Sequence, residues 1–117
     1  MFKQLTDDRG LLSILEFFDI PFIPKRIFIR QNMVPESNSG NGHFHKTSEE
    51  YICVLSGNCT IITENVITKE KVTIEGKPGV TVFIPTFTKI NIISHSIDTS
   101  MLVACNDEYD PKDVFYD

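Results

Sequence analysis

The chain has few cysteines, no long apolar run, no excess of positive charge and no internal repeat. Each shortage closes off a class of protein. Its three cysteines, Cys53, Cys59 and Cys105, are odd in number, scattered and set among apolar neighbours. They suit buried, reduced thiols better than a disulfide framework or a zinc knuckle. No apolar stretch approaches the ~20 residues of a membrane helix. Met1-Phe2-Lys3-Gln4 opens into Thr6-Asp7-Asp8-Arg9 without the apolar core of a signal peptide. A cytoplasmic location with no membrane partner is therefore expected. A formal net charge of −5 lacks the basic footprint that general nucleic-acid binding requires, so no such partner is expected either. With no repeat, low-complexity tract or linker, residues 1–117 read as one domain.

What is present is the punctuation of a β protein. Apolar residues make up 41% of the chain and charged residues 23%, the proportions of an ordinary globular protein able to enclose a core. Gly10, Pro21, Pro24, the polar loop 35–42, Ser56-Gly57, Glu64-Asn65, Gly76-Lys77-Pro78-Gly79 and Pro85 cut it into short segments. Between them, residues 11–17, 26–30, 42–46, 51–55, 60–63, 71–74, 80–84, 90–93 and 101–104 are rich in Val, Ile, Thr and Phe and read as strands. Nine short strands make a sandwich or barrel. Ser56-Gly57 reads as a tight hairpin turn, glycine supplying the positive φ. The acidic, aromatic tail 107–117 carries Pro111 where it can open a short turn laid against the barrel.

Against this background His43-Phe44-His45-Lys46 stands out. In an extended backbone side chains alternate, so His43 and His45 share one face and Phe44 takes the other; the pair is expected to face the barrel cavity. Neutral imidazole ligates metals or moves protons near neutral pH, and both uses profit from a second group at fixed distance. The spacing resembles the first signature of the cupin superfamily: His, any residue, His, four residues to Glu50 and six more to Gly57. The second signature is half present. Gly79 and Pro85 agree with it, but Phe87 stands where a glycine is expected and Ile90 where a ligand histidine is expected. The resemblance implies an all-β, cupin-type antiparallel jelly-roll barrel. Two histidines and a carboxylate also form the facial ligand set of non-haem iron enzymes, so His43, His45 and Glu50 are the alternative, metal-binding reading. Ile90 removes the fourth ligand and His95 lies beyond a strand's reach of the same spot, yet three ligands with an open position still suit iron or zinc. Only together with a closer family resemblance is no resident metal or other cofactor expected.

A closer resemblance covers nearly the whole chain. Asp8-Arg9-Gly10-Leu11-Leu12, Ile14-Leu15-Glu16, Asp19-Ile20-Pro21-Phe22, Lys25-Arg26-Ile27-Phe28, His43-x-His45-Lys46 and the closing Leu102-Val103-Ala104, Tyr109-Asp110 and Asp113 are similar, in order, to the sugar-nucleotide 3,4-ketoisomerases, the cupin family with WxcM-like relatives. That resemblance implies an isomerase that moves the ketone of a dTDP-linked 4-keto-6-deoxyhexose between carbons 4 and 3, for surface polysaccharide sugars. It also implies catalysis without metal and a homodimer that exchanges N-terminal strands, for which Phe17, Phe18, Ile20, Phe22 and Ile23 offer an apolar cluster. His45 is expected to carry the proton, with His43 as its partner. Lys25, Arg26, Arg30 and Lys46 are expected to hold the anionic nucleotide, and Phe28, Phe44, Ile52 or Val54, Phe83 and Ile90 to supply apolar walls. The chain departs from the family at Gly40 and Asn41, where Arg-Gly is usual, at Phe28-Ile29, where a tyrosine pair is usual, and at Glu50, where Gln is common. A binding module without turnover is the remaining alternative.

Overall fold

Short β-branched runs separated by turn residues favour strands over helices. The computed structural model describes residues 1–116 and contains, among them, nine strands and two single 3-10 turns. The strands are β1 Lys3–Asp7, β2 Gly10–Ile14, β3 Arg26–Arg30, β4 Glu50–Ser56, β5 Cys59–Asn65, β6 Lys71–Gly76, β7 Thr81–Ile84, β8 Thr88–Ile93 and β9 Ser100–Cys105. The 3-10 turns span Phe17–Asp19 and Pro111–Asp113. Every pairing is antiparallel. One sheet runs β3-β9-β4-β7, a second β6-β5-β8, and β1 with β2 forms a separate hairpin.

The core lies between the two larger sheets. Ile52 and Val54 of β4, Cys59 and Ile61 of β5, Val82 and Ile84 of β7, Ile90 and Ile92 of β8, and Met101, Val103 and Cys105 of β9 are all buried in one cluster. The two-residue spacing repeats in each strand, as it must when alternate side chains of both sheets point inward. Each fully buried Ile or Val contributes roughly 1.5–3 kcal/mol of transfer free energy. This is the expected all-β, cupin-type antiparallel jelly roll. Burial pushes the thiols of Cys53 and Cys105 up to about 11, the charge of Glu50 adding to the shift of Cys105, and pushes Cys59 up as well. All three cysteines are free and buried. Among the described residues no helix is long and apolar enough to cross a membrane.

Three local expectations are corrected. Strand β1 was not expected, because Lys3-Gln4-Leu5-Thr6-Asp7 carries a single apolar residue. Gln4 points inward and donates from Nε2 to Ser13 Oγ at 3.0 Å and to the Leu55 carbonyl at 3.4 Å. The strand expected at 11–17 stops at Ile14 and gives way to the first 3-10 turn. Ser56-Gly57 is no hairpin, because β4 and β5 belong to different sheets. Gly57, at φ +73°, carries the chain between them, and a Cβ there would stand 2.5 Å from Thr99 Cα. Only glycine fits that crossing.

Candidate active site

Residues 42–46 are not a regular strand either: His43 makes a single bridge to Ile90 and Phe44 one to Phe115. The turn at Asn41 and Gly42, both at positive φ, breaks the ladder. The alternation nevertheless survives, because the backbone is held from both sides. Ile90 N–H donates to the His43 carbonyl at 3.1 Å and Phe87 N–H to that of His45 at 2.7 Å, while Phe44 and Phe115 exchange two bonds of 3.0 Å. Phe44 packs behind, its ring 6.4 Å from that of Phe87 and 5.7 Å from that of Phe115. His43 and His45 are left together in front, ring centroids 5.0 Å apart and nearly perpendicular.

The proton positions on both rings follow from their partners. His43 Nδ1 bonds the Gly40 carbonyl, and His45 Nδ1 bonds the Asp113 carbonyl at 2.5 Å. A carbonyl only accepts, so each Nδ1 carries the proton and each Nε2 presents a lone pair. Two ready bases stand side by side. Their surroundings differ. His45 Nε2 lies 3.9 Å from Glu50 Oε1 and its Nδ1 lies 3.9 Å from Asp113 Oδ2, so an imidazolium formed there meets a carboxylate on either side. Asp113 accepts from the backbone N–H groups of Lys46, Thr47 and Ser48 and from the Thr47 hydroxyl. Burial alone would push its carboxyl up, but these bonds outweigh it and lower the pKa to about 2.

Glu50 is buried at the floor of the site, where the Cys105 thiol points at its Oε2 from 3.7 Å. Arg26 donates to Cys105 Sγ at 3.2 Å, and its guanidinium carbon lies 5.6 Å from the Phe28 ring centre and 5.5 Å from that of Tyr109. Its Nε is buried with no partner among the described residues, while the residue itself lines the cleft.

His43, His45, Glu50, Arg26, Phe28 and Tyr109 line an open cleft of about 270 Å³ with Arg30, Ser39 and their neighbours Gly40 and Asn41, and with Val114 and Tyr116 of the tail. A larger cleft of about 420 Å³ lies against the β1–β2 hairpin. It offers only Asp7 and Arg9 as ionisable groups, and these pair with each other at 2.7 Å. The imidazole cleft is therefore the candidate site. Of the expected site residues, the fold brings together His43, His45, Arg26, Phe28, Arg30 and Glu50. Lys25 and Lys46 are exposed and do not line it; Lys46 Nζ sits 4.1 Å over the Phe115 ring instead. Among the expected walls Ile90 does reach the depth of the cleft, whereas Phe44 packs behind it and Phe83 is 40% exposed, facing Phe22. At Gly40, a Cβ would lie 2.4 Å from the Ile90 carbonyl oxygen, so no side chain fits that backbone, and the guanidinium at this end of the cleft is that of Arg30. Sequence reasoning missed Ser39, the clamping by Asp113 and the lining by Tyr109 and Tyr116. The aromatic, acidic composition of the tail was the signal for the last three.

The whole chain, residues 1–117, matches the family described as FdtA: WxcM-like, C-terminal. The TDP-4-oxo-6-deoxy-alpha-D-glucose-3,4-oxoisomerase of Aneurinibacillus thermoaerophilus is 30% identical over 113 residues, 96% of this chain and 80% of that protein. A solved 3,4-ketoisomerase from Helicobacter canadensis superposes with a TM-score of 0.81 at 26% identity, covering 99% of this chain and 86% of the other. QdtA, a sugar 3,4-ketoisomerase from Thermoanaerobacterium thermosaccharolyticum solved in complex with TDP, gives a TM-score of 0.84 at 26% identity over 99% of this chain and 84% of its own.

Proposed function

Since the chain belongs to the WxcM-like FdtA family, we propose that it isomerises a TDP-linked 4-keto-6-deoxyhexose, moving the ketone from carbon 4 to carbon 3 for surface polysaccharide sugars. The observation that carries this reading is the pair of Nε2 lone pairs held side by side in one cleft. A proton on carbon 3, next to the carbonyl, is acidic enough for a positioned base to remove. His45 Nε2 takes it, and electrons shift onto the carbon 4 oxygen to give an ene-diolate. The positive charge of Arg26, which lines the cleft, stabilises that oxygen. His43 Nε2 then serves the transfer between the two oxygens, and His45 returns its proton to carbon 4, leaving the ketone at carbon 3. Atoms and charge balance without a redox partner or cofactor.

Incubation with TDP-4-keto-6-deoxyglucose in deuterated water should give a new keto sugar, with deuterium at carbon 4 wherever the His45 imidazolium exchanges its proton with solvent in the open cleft before delivering it. Tight binding of the sugar nucleotide with no isotope entry and no product would reduce the chain to a binding module. A metalloenzyme reading has one observation in its favour: ligand atoms of His43, His45 and Glu50 all lie within 4.8 Å of one another. They fit a divalent ion, with apolar Ile90 where a fourth ligand would stand. We expect activity to survive chelator, and a near-equimolar iron, zinc or manganese content would give the site to that reading instead.

We further propose that the chain works as a homodimer in the cytoplasm, whose reducing conditions suit three buried free thiols. Phe17, Phe18 and Ile23 are 63%, 85% and 84% exposed, while Ile20 and Phe22 turn inward. Leu5, Leu11 and Leu12 on the adjoining hairpin are exposed as well. So much apolar surface at one end calls for a cover, and a second copy is the simplest one. Light scattering at micromolar concentration should return twice the 13.3 kDa chain mass; a monomer would count against the dimer.

A further inference from the structure

His95 takes no part in the chemistry above, yet it is 3% exposed and its Nδ1 is buried with no partner among the described residues. Its Nε2 lies 2.5 Å from Ser39 Oγ. A neutral imidazole has one proton to place, and a buried N–H without an acceptor is costlier than a buried lone pair without a donor. The proton therefore sits on Nε2 and is donated to Ser39. That fixes the Ser39 hydroxyl as an acceptor toward His95 and leaves its own proton to be donated elsewhere. Among the described residues this proton has only the Met33 thioether, at 3.3 Å and a weak acceptor. Ser39 lines the cleft beside Arg30 and His43. Its backbone is rigid: Ser39 N–H donates to the Ile92 carbonyl at 2.9 Å, and Asn38 Oδ1 accepts from the N–H groups of Gly40, Asn41 and Ile92.

Resting on the sugar-nucleotide reading of the cleft, we propose that Ser39 donates a hydrogen bond to a sugar oxygen of the substrate and that His95 is the residue that positions it. The bound sugar oxygen accepts the hydrogen bond that the thioether accepts only weakly. A nucleotide without its sugar gains nothing from this contact.

The test is a double-mutant cycle on the full chain. Ser39→Ala should lower kcat/KM about 10-fold, the size of one hydrogen bond lost to substrate. It should also weaken sugar-nucleotide binding and leave the affinity for TDP alone unchanged. His95→Leu should cost about as much in the native background and almost nothing when Ser39 is already alanine, since it acts only through that hydroxyl. His95→Gln, whose amide N–H reaches toward the same oxygen, should recover most of the loss and covers the case in which the leucine variant fails to fold. Full kcat/KM in Ser39→Ala overturns the proposal, and so does an equal cost of His95→Leu in both backgrounds. The binding measurements, made by calorimetry, keep the two readings apart. A wild-type chain that binds the sugar nucleotide without turning it over still reports the Ser39 contact through affinity. One that binds neither TDP nor the sugar nucleotide removes the reading on which this inference rests.

Discussion

His45→Asn should abolish isomerisation, lowering kcat by about 1,000-fold, within the range a general base contributes. Asparagine keeps an N–H near the place of Nδ1, so the Asp113 carbonyl retains its donor and the segment its position. What disappears is the Nε2 lone pair between the substrate and Glu50. The fold should be untouched, with a melting midpoint within a few degrees of wild type. His43→Asn separates the two imidazoles, because only the proton carrier is needed for isotope exchange. If His45 carries the proton, deuterium entry vanishes with His45→Asn and persists, slowed, with His43→Asn. Wild-type rates in His45→Asn, or the reverse pattern of exchange, would pass the role to His43. The two carboxylates flanking His45, each at 3.9 Å, are the reason for the assignment; His43 shares only the neighbourhood of Glu50, within 4.8 Å.

The parts legible in the sequence were those set by local chemistry. Alternation within β4, β5, β7, β8 and β9 told which side chains share a face, though not which face lies inside, and the two-residue spacing of His43 and His45 gave their shared face even where no regular strand formed. There Phe44, wedged between Phe87 and Phe115, does what a ladder would have done. The parts that stayed hidden were set by distant partners. A strand as polar as Lys3–Asp7 has no visible pattern until Gln4 finds Ser13 and the Leu55 carbonyl. Ser56-Gly57 carries the composition of a hairpin turn, and only the position of Thr99 shows that the chain crosses between sheets there. His95 reads as remote because five residues separate it from the expected ligand position, but the loop bearing Ser39 folds back over β8 and brings a hydroxyl to it. Lys46, adjacent to the motif, was drawn away by the aromatic face of Phe115.

Asp113→Asn should cost about 2–3 kcal/mol of stability at neutral pH and lower the melting midpoint by roughly 10 °C. The carboxylate satisfies the Lys46, Thr47 and Ser48 N–H groups and the Thr47 hydroxyl with two acceptor oxygens, whereas an amide offers one oxygen and turns N–H donors toward N–H donors. The same exchange carries a pH signature. Because the folded pKa, about 2, lies below the ordinary 3.8, the carboxylate stabilises the fold fully above pH 4 to 5 and its contribution is lost as pH falls toward about 2. That shift corresponds to about 2 kcal/mol. Thermal melts across this range should therefore show a gap between wild type and Asp113→Asn that is constant near neutrality and closes in acid, once the wild-type carboxyl is protonated too. Activity should fall beyond what unfolding explains, even at a temperature where the variant is fully folded. The acceptor for His45 Nδ1–H is the backbone carbonyl of this same residue, so loosening the clamp lets the imidazole turn its lone pair away from the substrate. A variant with native kcat when folded would leave Asp113 a purely structural anchor, and a stability gap that persisted unchanged at pH 2 would show that its charge does not hold the loop.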